Sequence, residues 1–374
     1  MSEWKKTYLR DLIVIKNGKD HKKLKNGQYP VYGSGGIMRY ADSYLYDQES
    51  VLLPRKGTLN NIQFVTDPFW TVDTCYYTVV NRDKVLPYFL YCCLCKMDIQ
   101  SLNTGSAVPS MTFEKYYSIE VPLPPLSTQH RIASILSRYD SLIENYQKQI
   151  KLLEEAAQRL YKEWFVDLHF PGHENTKIVD GVPEGWEKKK VNSIIELQSG
   201  FAFKSSTFDD NGAYKIVTIK NVKDGAFDGD NVSRIVAIPE KMPKHCVLAD
   251  GDILLSLTGN VGRVCIVNGK NYLLNQRVAK LATDYKAFAY CLFRSRDMFI
   301  EVNNLANGAA QQNVSPIRIG GIKMLLPNMD MLQKFESTAS KLITRIIYLQ
   351  SQLRLLTEAR DRLLPKLMNG EIEI

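Results

Sequence analysis

The chain has 374 residues, of which 45% are hydrophobic and 24% are charged, and its formal net charge is +8. This composition is that of a folded protein with room for two or three domains, and it excludes a disordered or fibrous chain. No segment approaches the ~18 uninterrupted apolar residues of a membrane helix. The charged start MSEWKKTYLRD lacks the apolar core of a signal peptide, so we expect a cytoplasmic protein.

The seven cysteines show neither a disulfide framework nor zinc-finger spacing. Cys92, Cys93 and Cys95 lie in an apolar run, and no second Cys/His cluster follows at the spacing that zinc requires. The five histidines show no ligand spacing either. We therefore expect reduced, buried thiols and no metal site.

Residues 1–125 form the first predicted domain, which is rich in strands and turns. Asn-Gly and Gly-rich turns separate short β-branched and aromatic runs such as Ser50–Leu53 and Trp70–Val80. An apolar helix is predicted over Pro87–Met97, with its proline in the first turn. Residues 1–25 carry eight Lys or Arg against three acids, a local excess that suits phosphate contacts.

A long amphipathic helix is predicted over residues 126–170. The three prolines of Val121–Leu126 favour an extended entry, Ser127 is placed to cap the helix, and Pro171-Gly172 would end it. Apolar residues recur at steps of three and four with one extra residue, which predicts a coiled-coil seam of roughly 60 Å. The seam positions are Ile132, Ile135, Tyr139, Leu142, Tyr146, Ile150, Leu153, Ala157, Leu160 and Trp164.

A second domain is predicted over residues 171–328 and a second long helix over 329–374. Asp330 followed by Gln333 fits a capping box at the start of that helix. Strand patterns of the domain occur at Tyr214–Ile219, Gly251–Leu257, Val261–Val267 and Val278–Leu281. The second seam runs through Phe335, Leu342, Ile346, Leu349, Leu353, Leu356, Leu363 and Leu367.

The two halves are copies of one unit. Gly105–Trp164 aligns with Gly308–Leu367 without a gap at an offset of 203 residues, whereas Trp4 corresponds to Trp186 at an offset of 182. The second copy has therefore gained about 21 residues before its helix. Two similar surfaces on two helices indicate bipartite recognition rather than one catalytic cleft.

Each apolar seam must be buried. Each helix could pack on its own globular domain, or the two helices could pair with each other. Because the seams match in length, we predict antiparallel pairing, with one domain at each end and a pseudo-twofold relation between the copies.

The run from Pro122 to Gly172 closely resembles the central conserved region of the specificity (S) subunit of type I restriction–modification systems. Its Leu160–Phe165 ending is the most specific part, although His130 stands where the family often has Arg, and the second helix has Leu-Pro-Lys-Leu in place of that ending. Further segments resemble target-recognition domains of the same family: Tyr29–Gly36, Pro109–Thr112, Ser199–Ser205, Gly251–Ser256 and Asn275–Arg277.

The resemblance implies an α+β fold, with two α/β target-recognition domains joined by two long antiparallel coiled-coil helices. It also implies a subunit without catalytic residues that binds double-stranded DNA, two modification (M) subunits and, in the full complex, restriction (R) subunits. The M subunits would use S-adenosylmethionine, and the R subunits ATP and magnesium. This chain would bind none of these cofactors.

Motifs for a stand-alone enzyme are missing or incomplete. Asp67-Pro-Phe-Trp70 resembles an amino-methyltransferase tetrapeptide but lacks its second proline and a Gly-rich cofactor loop, and no P-loop motif is present. Glu184 and Glu187 lie too close in sequence to serve on two strands of a nuclease site. Gly33–Gly36 is better explained by a tight turn than by a phosphate cradle.

DNA contacts are predicted in loops that lie at matching places in the two copies. Arg and Lys read guanine or bind phosphate, and Asn and Gln read adenine. The candidates are Lys16, Lys19, Lys22, Lys23, Arg55, Lys56, Thr58 and Ser106 in the first domain, and Lys204, Lys220, Lys223, Asn260, Arg263, Gln311, Gln312 and Asn313 in the second.

The helices are predicted to bind protein rather than DNA, because residues 127–167 carry equal numbers of basic and acidic side chains. The candidates for spacing and docking are Arg131, Tyr139, Tyr146, Leu153, Leu160, Trp164, Leu349, Leu356 and Leu363. A protein scaffold that joins two ligand-binding domains without DNA is the alternative from another functional class.

Overall fold

The computed structural model describes residues 4–105, 108–230, 232–306 and 312–372. The chain forms two compact units, which we call the first unit (residues 1–144 with 355–374) and the second unit (145–354). In the ranges described, no helix is long and apolar enough to cross a membrane.

The first unit contains an antiparallel sheet of four strands in the order β2-β8-β5-β6, and a second sheet in the order β4-β3-β7. A separate antiparallel pair joins β1 to β9, with Lys5 opposite Leu123. The strands are β1 (Lys5–Tyr8), β2 (Ile13–Lys16), β3 (Asn26–Gly33), β4 (Gly36–Ala41), β5 (Ser50–Pro54), β6 (Gln63–Val65), β7 (Trp70–Thr71), β8 (Cys75–Val80) and β9 (Glu120–Leu123).

Helices α1 (Pro87–Cys95) and α2 (Phe113–Tyr117) complete the globular part of the first unit. The predicted α1 is confirmed, with its proline at the first helical position. The β-branched and aromatic run Trp70–Val80 contains two strands, because a turn in which the Cys75 amide donates to the Val72 carbonyl (3.0 Å) separates β7 from β8. Gly33 pairs with Gly36 at the end of the β3–β4 hairpin, as expected of a tight turn.

The second unit repeats this plan, with sheets in the orders β13-β20-β17-β18 and β15-β14-β19-β16. Strand β12 pairs with β21 as β1 does with β9, Glu187 lying opposite Leu326. The strands are β10 (Ile178–Val179), β11 (Val182–Pro183), β12 (Glu187–Lys190), β13 (Glu196–Ser199), β14 (Tyr214–Val217), β15 (Ser233–Ile235), β16 (Val247–Leu248), β17 (Ile253–Ser256), β18 (Val264–Ile266), β19 (Tyr272–Leu274), β20 (Val278–Ala282) and β21 (Lys323–Leu326).

The strand register confirms the repeat. Lys16 lies opposite Tyr77, and Gln198 opposite Lys280, so both offsets inferred from the sequence recur in one strand pair. The additional residues of the second copy fall between β13 and β17, where the second unit has the extra edge strand β16.

One glycine in each unit marks where the chain leaves the first strand of the four-stranded sheet. A β-carbon at Gly18 would overlap the carbonyl oxygen of Val72, and one at Gly200 would overlap that of Asn275. The following amides, of Lys19 and Phe201, donate to carbonyls of the neighbouring strand at 2.8 and 2.9 Å. Only glycine allows the two backbones to approach so closely.

Helix α3 (Leu126–Tyr161) continues into a π-helical turn at Lys162–Val166. It begins one residue before Ser127, so the predicted cap is wrong; the Pro125 carbonyl instead accepts from the amides of Thr128 and Gln129. It also ends before Pro171, because the π-turn interrupts it.

The α3 seam is more regular than predicted. Leu136 and Ile143 are buried, whereas the predicted Leu142 is 39% exposed. With these two replacing Ile135 and Leu142, one series of buried and half-buried apolar positions follows steps of four and three throughout, and Ile135, also half-buried, packs beside it on the first-unit core. They are Ile132, Leu136, Tyr139, Ile143, Tyr146, Ile150, Leu153, Ala157, Leu160 and Trp164.

The second unit also contains α4 (Lys286–Arg294), α5 (Arg296–Asn304), α6 (Pro316–Gly320) and most of α7 (Met329–Met368). The capping box predicted at Asp330 is wrong. The Asn328 side chain caps α7 by accepting from the Met331 amide (2.9 Å), and Asp330 pairs with Lys334 at 2.7 Å.

Opposite ends of α3 and α7 pack together within each unit. In the first unit, Arg360 binds Asp140 at 2.9 Å, and Leu367 shares a buried cluster with Ile132. In the second unit, the Phe335 ring lies 6.2 Å from that of Tyr161. Each unit thus shows antiparallel packing of the helices, and the same helix ends complete the core of the globular part.

Six of the seven cysteines are buried, as expected, and Cys95 lies at the surface. Burial raises the pKa of Cys75 to about 12, so this thiol is protonated at neutral pH.

Candidate nucleic-acid interface

A loop after β5 pairs with the segment before α2 in the first unit. The Gly57 amide donates to the Pro109 carbonyl, and the Met111 amide donates to the Arg55 carbonyl, both at 2.9 Å. Lys56 and Ser110 face each other in an antiparallel bridge between these hydrogen bonds. We call this arrangement the loop pair.

The second unit builds the same loop pair from different side chains. The Gly259 amide donates to the Gln312 carbonyl at 2.9 Å, and the Val314 amide donates to the Leu257 carbonyl at 3.0 Å. The bridge here joins Thr258 to Asn313, and the Thr258 hydroxyl also donates to Asn313 Oδ1 at 2.8 Å. The predicted correspondence of these loops therefore extends to individual backbone hydrogen bonds.

A short capped helix follows the loop pair in both units. The Thr112 side chain caps α2 by accepting from the Lys115 amide, and the Ser315 side chain caps α6 by accepting from the Arg318 amide, each at 3.3 Å. The caps fix where the loop ends. In the second unit this helix presents Ile317, which is 87% exposed.

A turn between two strands joins the loop pair to the basic segment in the first unit. The Arg55 amide donates to the Thr74 carbonyl at 2.8 Å, and the Lys19 amide donates to the Thr71 carbonyl, also at 2.8 Å. The β7–β8 turn thus brings the segment of Lys16, Lys19, Lys22 and Lys23 to the edge that carries Arg55. All four lysines are exposed.

The Arg55 side chain is the most restrained of the first-unit candidates. Its guanidinium donates to the Asp73 carbonyl at 3.4 Å and lies 5.9 Å from the centre of the Tyr76 ring. Burial raises the pKa of Tyr76, so this ring stays neutral beneath the cation. Lys56 and Thr58 are exposed.

A cavity of about 430 Å³ opens beside the loop pair of the second unit. Gln276 and Arg277, from the β19–β20 turn, are exposed and line it, and they are not among the contacts predicted from the sequence. A signal for them existed, since Asn275–Arg277 resembled recognition-domain sequence. The cavity is lined by Leu257, Thr258, Gln276, Arg277, Asn313, Val314, Ser315 and Pro316.

The other second-unit candidates lie on separate loops. Lys204, Lys220 and Lys223 are exposed, and Lys223 lies 4.0 Å from Asp228. Asn260 is exposed and Arg263 half-buried, and Ser256 ties their loop by accepting from the Arg263 amide and donating to the Asn260 carbonyl. Gln312 is exposed. The candidates Ser106 and Gln311 lie outside the described residues.

A carboxylate of α3 fixes the first unit to its long helices. The Tyr88 hydroxyl donates to Asp140 Oδ2 at 2.6 Å, and Arg360 of α7 donates to Oδ1 at 2.9 Å. Burial, together with Cys92 and Asp140, raises the pKa of Tyr88 above its usual value. Burial tends to lower the pKa of Arg360, but its hydrogen bonds to Asp140 and Asp361 outweigh burial and raise it.

The second unit uses a different carboxylate for the same purpose. The Tyr290 hydroxyl donates to Glu154 at 2.7 Å, and Arg294 donates to Glu154 at 3.0 Å and to Asp224 at 2.5 Å. Burial tends to lower the pKa of Arg294, but Tyr290, Glu154 and Asp224 outweigh it and raise the pKa. These ionic clusters had no signature in the sequence.

The helix residues predicted for spacing and docking lie mainly in the seams. Leu349 is buried and Arg131 is exposed. The others are half-buried, namely Tyr139, Tyr146, Leu153, Leu160, Trp164, Leu356 and Leu363. The long helices also expose apolar side chains that are not among the predicted docking residues, namely Leu142, Leu152, Tyr348 and Leu355.

Within the described ranges, no group of three or more His, Cys, Asp or Glu side chains is placed to hold a metal ion. In these ranges the two units share loop surfaces rather than a cluster of metal ligands. Each is a mixed α/β domain that presents a loop pair and is fixed to both long helices. These features define a class of protein that carries two related recognition surfaces with different side chains.

The chain belongs to the family of the type I restriction modification DNA specificity domain, whose model matches residues 1–155 and 183–353. The type I restriction enzyme MjaIX specificity subunit of Methanocaldococcus jannaschii is 27% identical over 348 residues, covering 88% of this chain and 79% of the relative. The MjaVIII specificity subunit of the same organism is 30% identical over 292 residues, covering 74% and 67%.

The fold agrees with a solved structure. The crystal structure of the type I restriction–modification S subunit from M. genitalium matches with a TM-score of 0.67 and 18% identity, covering 97% of this chain and 96% of that chain. The resemblance stated from the sequence is confirmed, and the chain is a specificity subunit by family.

Proposed function

We propose that the two units read the two half-sites of a bipartite, asymmetric DNA target for a type I restriction–modification complex. The observation that carries this proposal is the loop pair, which has the same backbone hydrogen bonds in both units. A shared backbone with variable side chains suits base reading, because phosphate contacts set register while side chains select bases.

The asymmetry follows from residues that occupy equivalent positions in the two loop pairs. Lys56 corresponds to Thr258, and Ser110 corresponds to Asn313. Because these side chains offer different hydrogen-bond donors and acceptors, the two half-sites should have different sequences.

The long helices would set the distance between the half-sites and dock two modification subunits, with restriction subunits joining in the full complex. Support comes from apolar side chains on the outer faces, where Leu152 is 65% exposed and Tyr348 50% exposed in the second unit. Exposed apolar side chains of this size suit a protein partner. Catalysis, with S-adenosylmethionine, ATP and magnesium, would belong to the other subunits.

The test is to express this chain with and without its candidate modification subunit in cells that lack other methylases, and to sequence the DNA for methylated adenine. We expect methylation at one bipartite motif only when both proteins are present. A stable complex with an active modification subunit that methylates no motif would contradict the proposal.

Salt distinguishes DNA recognition from a protein scaffold. Binding of the complex to a duplex with the mapped motif should weaken steeply between 50 and 200 mM salt, since phosphate contacts release counterions. An affinity independent of salt would favour the scaffold.

A further inference from the structure

We infer that Arg277 and Arg55 are the guanine-reading side chains of the second and first units, one for each half-site. This inference rests on the proposed function and adds the identity of a base in each half-site. It comes from one cross-strand position that both units share.

At that position a backbone hydrogen bond joins the loop pair to the turn before β8 in the first unit and before β20 in the second. In the first unit the Arg55 amide donates to the Thr74 carbonyl at 2.8 Å, and in the second the Leu257 amide donates to the Arg277 carbonyl at 3.0 Å. Each pair contains one arginine, on opposite strands in the two units. The same cross-strand backbone pair therefore contributes one arginine in both units.

The surroundings of Arg277 suit a base edge. Arg277 is exposed at the mouth of the cavity beside Gln276 and Asn313. Within the part of the chain that the structure describes, no hydrogen bond or ion pair engages its guanidinium. The neighbouring α6 adds Ile317, an apolar side chain 87% exposed next to this polar cavity.

These groups match the chemistry of the major groove. A guanidinium donates two parallel hydrogen bonds to guanine O6 and N7, side-chain amides pair with adenine, and an apolar group contacts the thymine methyl. A phosphate contact needs only positive charge, whereas the cavity places several side chains of different base preference together. This combination favours base reading by Arg277 over a contact with phosphate.

Arg55 is held for the same task by different contacts. The Asp73 carbonyl accepts from its guanidinium at 3.4 Å, and the Tyr76 ring lies 5.9 Å away. These contacts engage one nitrogen and one face of the group, and they leave further donors for a guanine. A positioned guanidinium loses less freedom when it binds.

The test begins with the motif that the wild-type chain directs together with its modification subunit. Arg277→Lys and Arg55→Lys keep the charge but remove the two-pronged donor. The purified wild-type and variant complexes are then compared on duplexes with the mapped motif and with each of its guanines replaced. Arg296→Lys is the matched control, because Arg296 is an exposed arginine of the second unit that does not line the cavity.

We expect the wild type to prefer one guanine of each half-site by about five- to 150-fold. Arg277→Lys should abolish the preference at one half-site and Arg55→Lys at the other, while Arg296→Lys changes neither. Methylated sites in cells should relax at the same two positions.

Three results would overturn the inference. The first is a half-site without a guanine on either strand. The second is a full preference in either lysine variant. The third is equal weakening at every position, which would assign these arginines to phosphate. A wild-type chain that directs no motif would instead contradict the proposed function itself.

Discussion

One carboxylate in each unit joins side chains of the globular part to a long helix, in addition to the apolar contacts of the helix ends. Asp140 and Glu154 each accept from a tyrosine of the domain and from an arginine. In the second cluster, Glu154 is 16% and Arg294 14% exposed at the side chain, so both charges are largely withdrawn from water.

Removal of one partner should therefore cost more than removal of a surface charge. Glu154→Ala leaves the Tyr290 hydroxyl and one side of Arg294 without an acceptor, and we expect a loss of about 3 kcal/mol in the free energy of unfolding. Denaturant unfolding followed by circular dichroism measures it.

The adjacent Glu155 provides the control. It pairs with Lys151 at 3.9 Å on the exposed surface of the same helix. Glu155→Ala should change stability by no more than about 1 kcal/mol. Equal effects of the two variants would show that the buried cluster contributes no special stability.

Gly18 and Gly200 allow the chain after the first strand of each four-stranded sheet to approach a strand of the second sheet closely. We expect Gly18→Ala and Gly200→Ala each to destabilise the protein by about 1–3 kcal/mol or more, because the new methyl group would overlap a carbonyl of the neighbouring strand. Thermal unfolding midpoints measure the effect.

Gly35→Ala serves as the control, since nothing lies within 4 Å of the added carbon in its hairpin turn. Its midpoint should stay near the wild-type value. If Gly18→Ala and Gly200→Ala had the same unfolding midpoint as Gly35→Ala, the close approach of the strands would contribute nothing to stability.

The elements were predicted from sequence to different degrees. The long helices and α1 followed from apolar periodicity and a first-turn proline, which act locally. The helix caps did not: Ser127 and Asp330 are good capping residues, but the chain reaches helical geometry earlier, at Leu126 and Met329. In the seam, Leu142 and Ile143 are both apolar, and the contacts made by the folded chain decided which is buried.

The candidate site was predicted in part. The loops were found because the two copies could be compared, and the comparison placed Arg55 and Asn260 on equivalent loops. Gln276 and Arg277 were missed because their turn contributes to the site through a cross-strand hydrogen bond to Leu257, a non-local contact that the sequence does not display.

The proposed spacer function makes the length of the two long helices a determinant of the DNA target. Deletion of one heptad from both helices, at residues 145–151 and 348–354, keeps each seam in phase. It shortens each helix by about 10 Å, and we expect the spacer of the methylated motif to shrink by roughly three base pairs.

Methylation mapping of the deletion variant is the measurement. The bases of both half-sites should stay the same, since the loop pairs are untouched. An unchanged spacer in an active complex would refute the spacing role of the helices. A five-residue deletion is the out-of-phase control, and it should abolish assembly.

The first unit is assembled from the two ends of the chain, and this has a consequence for biosynthesis. Its core contains Leu367 and Met368, and Lys96 of the globular part donates to Asn369 at 2.6 Å. The ribosome must add about 210 residues after Glu144 before it reaches Leu355, which takes roughly 10–40 s at ordinary translation speed. During that interval the apolar surface of the nascent first domain that Leu367 and Met368 will cover stays exposed. We expect chaperones to bind this surface until α7 covers it.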